Sequence, residues 1–230
     1  MSEANQETTE QTPTETAGSS AVHLDGLFAF KVGMSAVFSD EGERIPVTVL
    51  KYEPMIVSQV KTTQSDGYDS VQLAFVPDRA TQTTGARKTH LQKTGFENGA
   101  KFLREVRVDK LPEGVSVGQK VAIDSLKKGD VVKVTGLSRG RGFQGPVRRW
   151  NFNGGPATHG SGFHRKPGSV GNRTWPGRVM PGKRMAGQWG NETITVGGMK
   201  IVDVIPEENV VLVRGPVPGA RNSLIRLMKV

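Results

Sequence analysis

The chain has 230 residues, no cysteine, a formal net charge of +9 at pH 7 and a sequence pI of about 9.9. This length suffices for one good-sized core with room for one large insertion, and the lack of cysteine excludes disulfides and Cys-based metal sites. No apolar run approaches the roughly 20 residues that a membrane-spanning helix needs, and the basic charge favours a polyanionic partner.

Residues 1–22 are predicted to form a disordered acidic tail. They contain four glutamates and no Lys or Arg, and their Thr, Glu, Gln and Ser residues cannot bury enough apolar surface to offset chain entropy. With Asp25 the first 25 residues carry −5, and subtracting that from +9 leaves +14 for the rest. The segment resembles neither a signal peptide nor a transit peptide, so we expect a cytoplasmic location.

From Leu27 onward the chain contains short segments that are typical of β-strands, with alternating apolar residues at 28–38 and β-branched, apolar residues at 45–52. Polar or Pro-containing clusters such as 39–42 and 53–54 separate them. The predicted strands cover 27–38, 45–52, 56–61, 70–76, 102–108, 119–123, 130–135, 193–205, 210–214 and 224–228. Such short, closely spaced strands indicate a small antiparallel barrel or sandwich, with Phe28, Phe30, Phe38 and Phe75 expected in its core.

The predicted domain organisation is one core formed by two separate stretches of the sequence. Residues 23–136 form its first part, with an insertion at about 78–100 that contains one or two short helices. Residues 137–191 form a long Gly/Arg-rich loop, and residues 192–230 form the second part of the core. A loop this long is usually either functional or disordered.

The loop has an unusual composition. Between Asp130 and Glu192 there are 61 residues without a carboxylate, and they include eleven Lys or Arg, all three Trp and fourteen Gly. Arg binds phosphate bidentately and stacks on bases, aromatic rings offer stacking faces, and Gly permits close backbone approach. These features predict a segment that lies against RNA and becomes ordered on it.

Two motifs in the loop allow an alternative reading. The run Gly140–Gly145 matches the dinucleotide fingerprint G-x-G-x-x-G and would suit a nucleotide-binding enzyme, but Pro146 follows it and the required downstream acid is missing. His159 and His164 suggest a metal pair or a hydrolase base, yet the segment offers no further ligands. We expect these histidines to stack on or hydrogen-bond to RNA, with no metal, cofactor or catalytic residue.

The aromatic residues of the loop have two possible roles. Trp150 and Trp189, near its two ends, suit protein packing and RNA contact equally well, whereas Trp175, between Thr174 and Pro176, suits RNA contact at the end of an extension. The residues that we expect to bind RNA are Arg139, Arg141, Arg148, Arg149, Trp150, Phe152, His159, His164, Arg165, Lys166, Arg173, Trp175, Arg178, Lys183 and Arg184.

The order of these motifs resembles the bacterial large-subunit ribosomal protein three family over residues 25–230. The motifs that carry the resemblance are 134–136, 140–145, 148–152, 157–160, 164–165, 167–171, 176–179, 182–187, 190–192 and 215–219. The acidic segment before Val22 has no counterpart in this pattern.

The resemblance implies a mainly β fold with a six-stranded, translation-factor-type β-barrel, a small α/irregular insertion and a long extended loop. It also implies a structural, non-enzymatic protein that binds large-subunit ribosomal RNA directly and acts early in assembly. Its extension would reach toward the peptidyl transferase centre, with a tip at Asn172, Arg173, Thr174 and Trp175. The implied partners are that RNA and neighbouring ribosomal proteins, with no membrane and no homo-oligomer.

Overall fold

The computed structural model describes residues 22–79, 82–112 and 114–230, and within these ranges the protein is mainly β, as predicted. The strands are β1 (Gly26–Phe38), β2 (Arg44–Tyr52), β3 (Ile56–Lys61), β4 (Ser70–Pro77), β5 (Ala100–Arg107), β6 (Val131–Leu137), β7 (Phe143–Gln144), β8 (Gly187–Gln188), β9 (Thr193–Ile205), β10 (Val210–Arg214) and β11 (Leu224–Lys229). The helices are α1 (Thr63–Asp66), α2 (Gly85–Leu91) and α3 (Pro146–Trp150), and 3₁₀ turns cover Gln92–Thr94 and Ile123–Ser125.

The chain divides into two compact units. One contains residues 55–122 together with Val22, and the other contains residues 23–54 and 123–230. Most of the predicted tail lies outside the described residues. Its last residue, Val22, is instead packed: its side chain is buried, its N–H donates to the Lys120 carbonyl (3.0 Å), and it bridges to Val121.

In the larger unit, β1, β11, β6, β9, β10 and β2 pair in that order and close into an antiparallel barrel. Burial alternates along β6, β10 and β11, so alternate side chains of these strands point inward. In β6, for example, Val132, Val134 and Gly136 are buried while their neighbours are more exposed. Gly136 has no room for a side chain, because a Cβ there would meet Ile225 and the Pro218 carbonyl.

One predicted core residue of the barrel is exposed. Phe28 is buried and Phe30 is half-buried, but Phe38 is 69% exposed. The reason lies in the length of β1. It pairs with β11 only as far as Phe30, and its remaining residues continue as a hairpin with β2 that ends at the Phe38–Arg44 pair. The alternation of Met34, Ala36 and Phe38 continues into that hairpin, beyond the end of the barrel interior.

Three strands that were predicted to belong to the barrel form a separate sheet instead. In the smaller unit β3, β4 and β5 pair in that order, and the predicted strand at 119–123 contributes only isolated bridges. Phe75 is buried in this unit and stacks on Phe102 with ring centroids 5.4 Å apart. The short helix predicted in the insertion is present as α2, whose Leu91 packs with Ala74 and Ala100.

The loop after β10 lies beside the start of the Gly/Arg-rich segment. The Lys31 ammonium donates to the carbonyls of Val217 (2.6 Å) and Gly219 (3.1 Å), and burial lowers the pKa of this lysine. Gly219 has φ +107°, and a Cβ there would lie 3.1 Å from the Leu137 carbonyl oxygen. The lysine therefore fixes a loop that packs closely on the end of β6.

The sheet of the smaller unit carries a charged network on one face. Lys61 Nζ lies 2.8 Å from Glu105 Oε1 and donates to the Tyr68 hydroxyl at 2.9 Å, while that hydroxyl donates to Glu105 Oε2 at 2.9 Å. The hydrogen bond from Lys61 is the main reason that the pKa of Glu105 is lowered, and the same contact raises the pKa of Lys61.

This network predicts an acid-side dependence of stability. Because folding lowers the pKa of Glu105 below its unfolded value of about 4.3, its contribution is present above that pH and is lost as the pH falls through the folded pKa. We expect Glu105→Gln to lower the free energy of unfolding at pH 7 and to flatten its decline below about pH 4.3, as measured by urea unfolding. The exposed Glu97→Gln is the control, and equal changes in both variants would contradict the prediction.

Candidate nucleic-acid interface

Residues 138–191, here called the arm, leave and rejoin the barrel between β6 and β9. At its base the two chain segments run antiparallel. The Arg141 N–H donates to the Trp189 carbonyl (2.9 Å), and the Trp189 N–H donates to the Gly142 carbonyl (3.0 Å). β7 and β8 continue the pairing at Phe143 and Gln188. The base of the arm is therefore an ordered ribbon rather than an open loop.

Gly190 allows the close approach of the two segments at this base. Its φ is +72°, a region that L-residues avoid, and a Cβ there would overlap the carbonyl oxygen of Arg139. A side chain at position 190 would therefore force the two segments apart.

Trp150 and Trp189 both make contacts within the arm. The Arg141 guanidinium lies 3.9 Å from the centre of the Trp189 ring, and Arg149 lies 4.9 Å from that of Trp150. The Trp150 Nε1–H also donates to the Met185 carbonyl (2.8 Å). Protein packing, one of the two predicted roles, is thus observed for both rings, although Trp150 stays 36% exposed.

Three of the predicted arginines surround one cavity. Arg139, Arg141 and Arg148 line it together with Gly140, and its volume is about 360 Å³. No carboxylate in the sequence of the arm can neutralise these guanidinium groups. Guanidinium forks match the oxygen atoms of phosphate bidentately, so the cavity has the chemistry of an anion site.

Further cations and aromatic rings line two adjoining pockets along the arm. Phe152, Lys183 and Arg184 contribute to one, and Trp150, Phe152, Lys166 and Arg184 contribute to the other. Arg184 also lies 5.6 Å from the centre of the Trp150 ring. Five predicted residues are therefore neighbours in space although they are distant in sequence: Trp150, Phe152, Lys166, Lys183 and Arg184.

The remaining predicted residues are exposed and lie between positions 159 and 178 of the arm. These are His159, His164, Arg165, Arg173, Trp175 and Arg178, together with Asn172 and Thr174 of the predicted tip. Trp175 is 84% exposed. His159 and His164 both have positive φ, and among the described residues no group of three or more potential metal ligands is present.

The prediction from sequence overlooked two exposed rings of the arm. Phe143 is 75% exposed in β7 and follows Arg141 by two residues, and Phe163 is 42% exposed and lines the pocket that contains Trp150. A lone aromatic residue within a Gly/Arg run was the available signal. The Met185 carbonyl, which accepts from both Trp150 and Arg149, leaves no trace in the sequence because it is a backbone group.

The nucleotide-binding alternative for Gly140–Gly145 is wrong. A dinucleotide site needs a parallel strand, a glycine turn and a helix whose N-terminus faces the pyrophosphate. Here β6 belongs to an antiparallel sheet, and the glycines lead into the two-residue β7 and the five-residue α3.

Within the described part of the chain, no helix has the length and apolarity to cross a membrane.

The fold and the arm together define a class: a basic, mainly β protein with a long cationic arm. The family model for "Ribosomal protein L3" matches residues 72–208. The large ribosomal subunit protein uL3 of Bdellovibrio bacteriovorus is 56% identical over 216 residues, which cover 94% of this chain and 98% of that protein. The uL3 proteins of Syntrophotalea carbinolica and Desulfotalea psychrophila are 44% and 45% identical, over 89% and 88% of this chain and 97% and 96% of theirs.

The chain belongs to the ribosomal protein L3 family. It is therefore a ribosomal protein and not an enzyme, as the sequence predicted.

Proposed function

We propose that the chain is a structural constituent of the large ribosomal subunit in the cytoplasm and that it binds large-subunit ribosomal RNA directly through the arm. The observation that carries this proposal is the arm itself, which exposes nine of its ten Lys and Arg residues and contains no carboxylate. Uncompensated cations next to exposed rings match the phosphates and bases of structured RNA.

The barrel and the arm have separate roles in this proposal. The six-stranded sheet would be the translation-factor-type barrel that docks on the subunit surface beside neighbouring ribosomal proteins, as a monomer. The arm would extend through RNA toward the peptidyl transferase centre, with residues 172–175 at its tip, and the chain would join the subunit early in assembly. The closed order of β1, β11, β6, β9, β10 and β2 and the exposure of the whole tip support this division.

Most of the affinity would come from phosphate neutralisation. Each Lys or Arg on a phosphate releases condensed counterions, so binding weakens as salt increases. Packed RNA also leaves little room for carboxylates, which accounts for their absence from residues 131–191. Stacking of bases on exposed rings such as Phe143 and Trp175 would add a contribution that depends less on salt.

Sedimentation tests the proposal directly. The tagged full-length chain, expressed in a bacterium, should co-sediment with large subunits. It should also remain bound after a high-salt wash, because its release requires many contacts to break at the same time. A chain with Arg139, Arg141 and Arg148 replaced by Ala should be retained less well. Recovery of the wild-type chain only at the top of the gradient would overturn the proposal.

Trp175 provides a separate prediction for the tip. Because its ring is 84% exposed, Trp175→Ala should leave the melting temperature of the free protein nearly unchanged. Stacking of this ring on a base would contribute roughly 1–3 kcal/mol, which is small compared with the sum of all RNA contacts. The variant should therefore still assemble into subunits, but it should alter peptidyl transfer or sensitivity to drugs at the catalytic centre. Puromycin reaction rates of purified subunits measure this.

Trp150→Ala is the matched comparison for Trp175. This substitution removes the hydrogen bond from Trp150 Nε1–H to the Met185 carbonyl and the ring beneath Arg149, so it should disturb the arm of the free protein. A large drop in melting temperature for Trp175→Ala would show that this ring belongs to a packed cluster and would contradict its role at the tip.

A further inference from the structure

A small, mostly apolar cavity is lined entirely by residues of the arm. Its volume is about 350 Å³, at the lower end of the roughly 300–1,000 Å³ that small-molecule sites occupy. Its apolar walls come from three separate parts of the arm and are Pro146, Phe152, Pro167, Val170, Met185 and Ala186. A cavity of this size suits one flat ring system rather than a helix or a strand.

The charged residues of the cavity are all cations. Lys183 and Arg184 line it, and Ser169 is its remaining polar residue. The Ser169 hydroxyl donates to the Gly171 carbonyl (3.1 Å), which leaves its oxygen available to accept a hydrogen bond. An apolar chamber with cations and one acceptor matches a nucleotide, whose base is flat and whose phosphate is anionic.

Arg184 lies near an aromatic ring that is itself part of the arm. Its guanidinium lies 5.6 Å from the centre of the Trp150 ring, and Trp150 is itself fixed by its hydrogen bond to Met185. Arg184 and Phe152 also line the adjoining, more open pocket with Trp150 and Phe163. A phosphate on Arg184 would therefore lie between the apolar cavity and the aromatic residues of the adjoining pocket.

We propose that this cavity takes the base of a single unpaired nucleotide of ribosomal RNA, with the adjoining phosphate on Arg184 and Lys183. The inference rests on the proposed function and adds a specific site to it. RNA-binding proteins commonly recognise bases that are splayed out of the helical stack, and the cationic lining together with the carboxylate-free arm favours RNA over an apolar peptide as the occupant.

Filling the cavity tests the proposal. Ala186→Phe places a ring in the chamber without changing charge, and Ala157→Phe adds the same ring at an exposed position of the arm outside it. Large subunits assembled with each full-length variant are probed with base-specific reagents. We expect Ala186→Phe to remove the protection of one base, or of one base and its neighbour, and Ala157→Phe to leave that base protected. An unchanged pattern in Ala186→Phe subunits would overturn the proposal.

Photocrosslinking identifies the occupant independently, which matters if a ring at position 186 disturbs the arm. Phe152→p-azidophenylalanine places the reactive group on the wall of the cavity. A crosslink to one ribosomal nucleotide is expected, and crosslinks confined to a neighbouring protein or to the arm itself would overturn the proposal. Failure of the wild-type chain to enter large subunits would instead refute the proposed function, so the two failures are distinguishable.

Discussion

Gly190→Ala should open the base of the arm while the barrel stays folded. A residue with a side chain at φ +72° costs roughly 1–2 kcal/mol, and here the Cβ would also overlap the Arg139 carbonyl oxygen, which is backbone and cannot rotate away. The two segments must separate to relieve this overlap. We expect faster hydrogen exchange at the Arg141 and Trp189 amides, which bond across the base, and weaker binding of large-subunit RNA.

Gly182→Ala is the matched control for this effect. Gly182 has φ +77°, so alanine meets a similar backbone penalty, but nothing lies within 4 Å of its Cβ position. Its exchange pattern at the base should therefore stay close to that of the wild type. Similar changes in both variants would show that backbone strain alone is responsible and that the approach of Gly190 to Arg139 is unimportant.

The strands were predictable because short runs of β-branched and apolar residues between turn residues are a local signal. The pattern of β9 or β10 is visible in its own few residues. Sheet membership is not local, since β3 and β4 resemble the barrel strands in sequence but pair with β5 in another unit. The wrong prediction for Phe38 has the same cause. Its exposure depends on the point at which β11 stops pairing with β1, which the sequence around Phe38 does not specify.

The composition of the arm predicted which residue types lie there but not which of them meet. Arg148 and Arg149 are adjacent and look equivalent in the sequence. In the structure Arg148 lines the basic cavity, whereas Arg149 donates to the Met185 carbonyl (3.1 Å) and lies over Trp150. The difference arises from the return of the chain at residues 184–187, which no local pattern near position 149 specifies.

Replacing Arg139, Arg141 and Arg148 together by Ala should produce the largest loss of RNA affinity among the variants considered. The three side chains line one cavity, so one phosphate-rich feature of the RNA can engage them all. The plot of log affinity against log salt should become shallower by roughly 0.7–0.9 for each phosphate that the variant no longer neutralises. Filter binding of the full chain to large-subunit RNA over a series of salt concentrations measures that slope.

Two comparison variants separate charge from geometry. The triple Arg→Lys variant keeps all three charges, so its salt slope should match that of the wild type, while its affinity should be lower because Lys cannot bind phosphate bidentately. Arg149→Ala should lower affinity with a smaller change in slope than Arg148→Ala, since Arg149 is occupied by Met185 and Trp150 and acts on the arm rather than on phosphate. If the triple Ala variant kept the wild-type slope, the cavity would not be a phosphate site, and the cations that bind RNA would have to lie elsewhere in the arm, between His159 and Arg178.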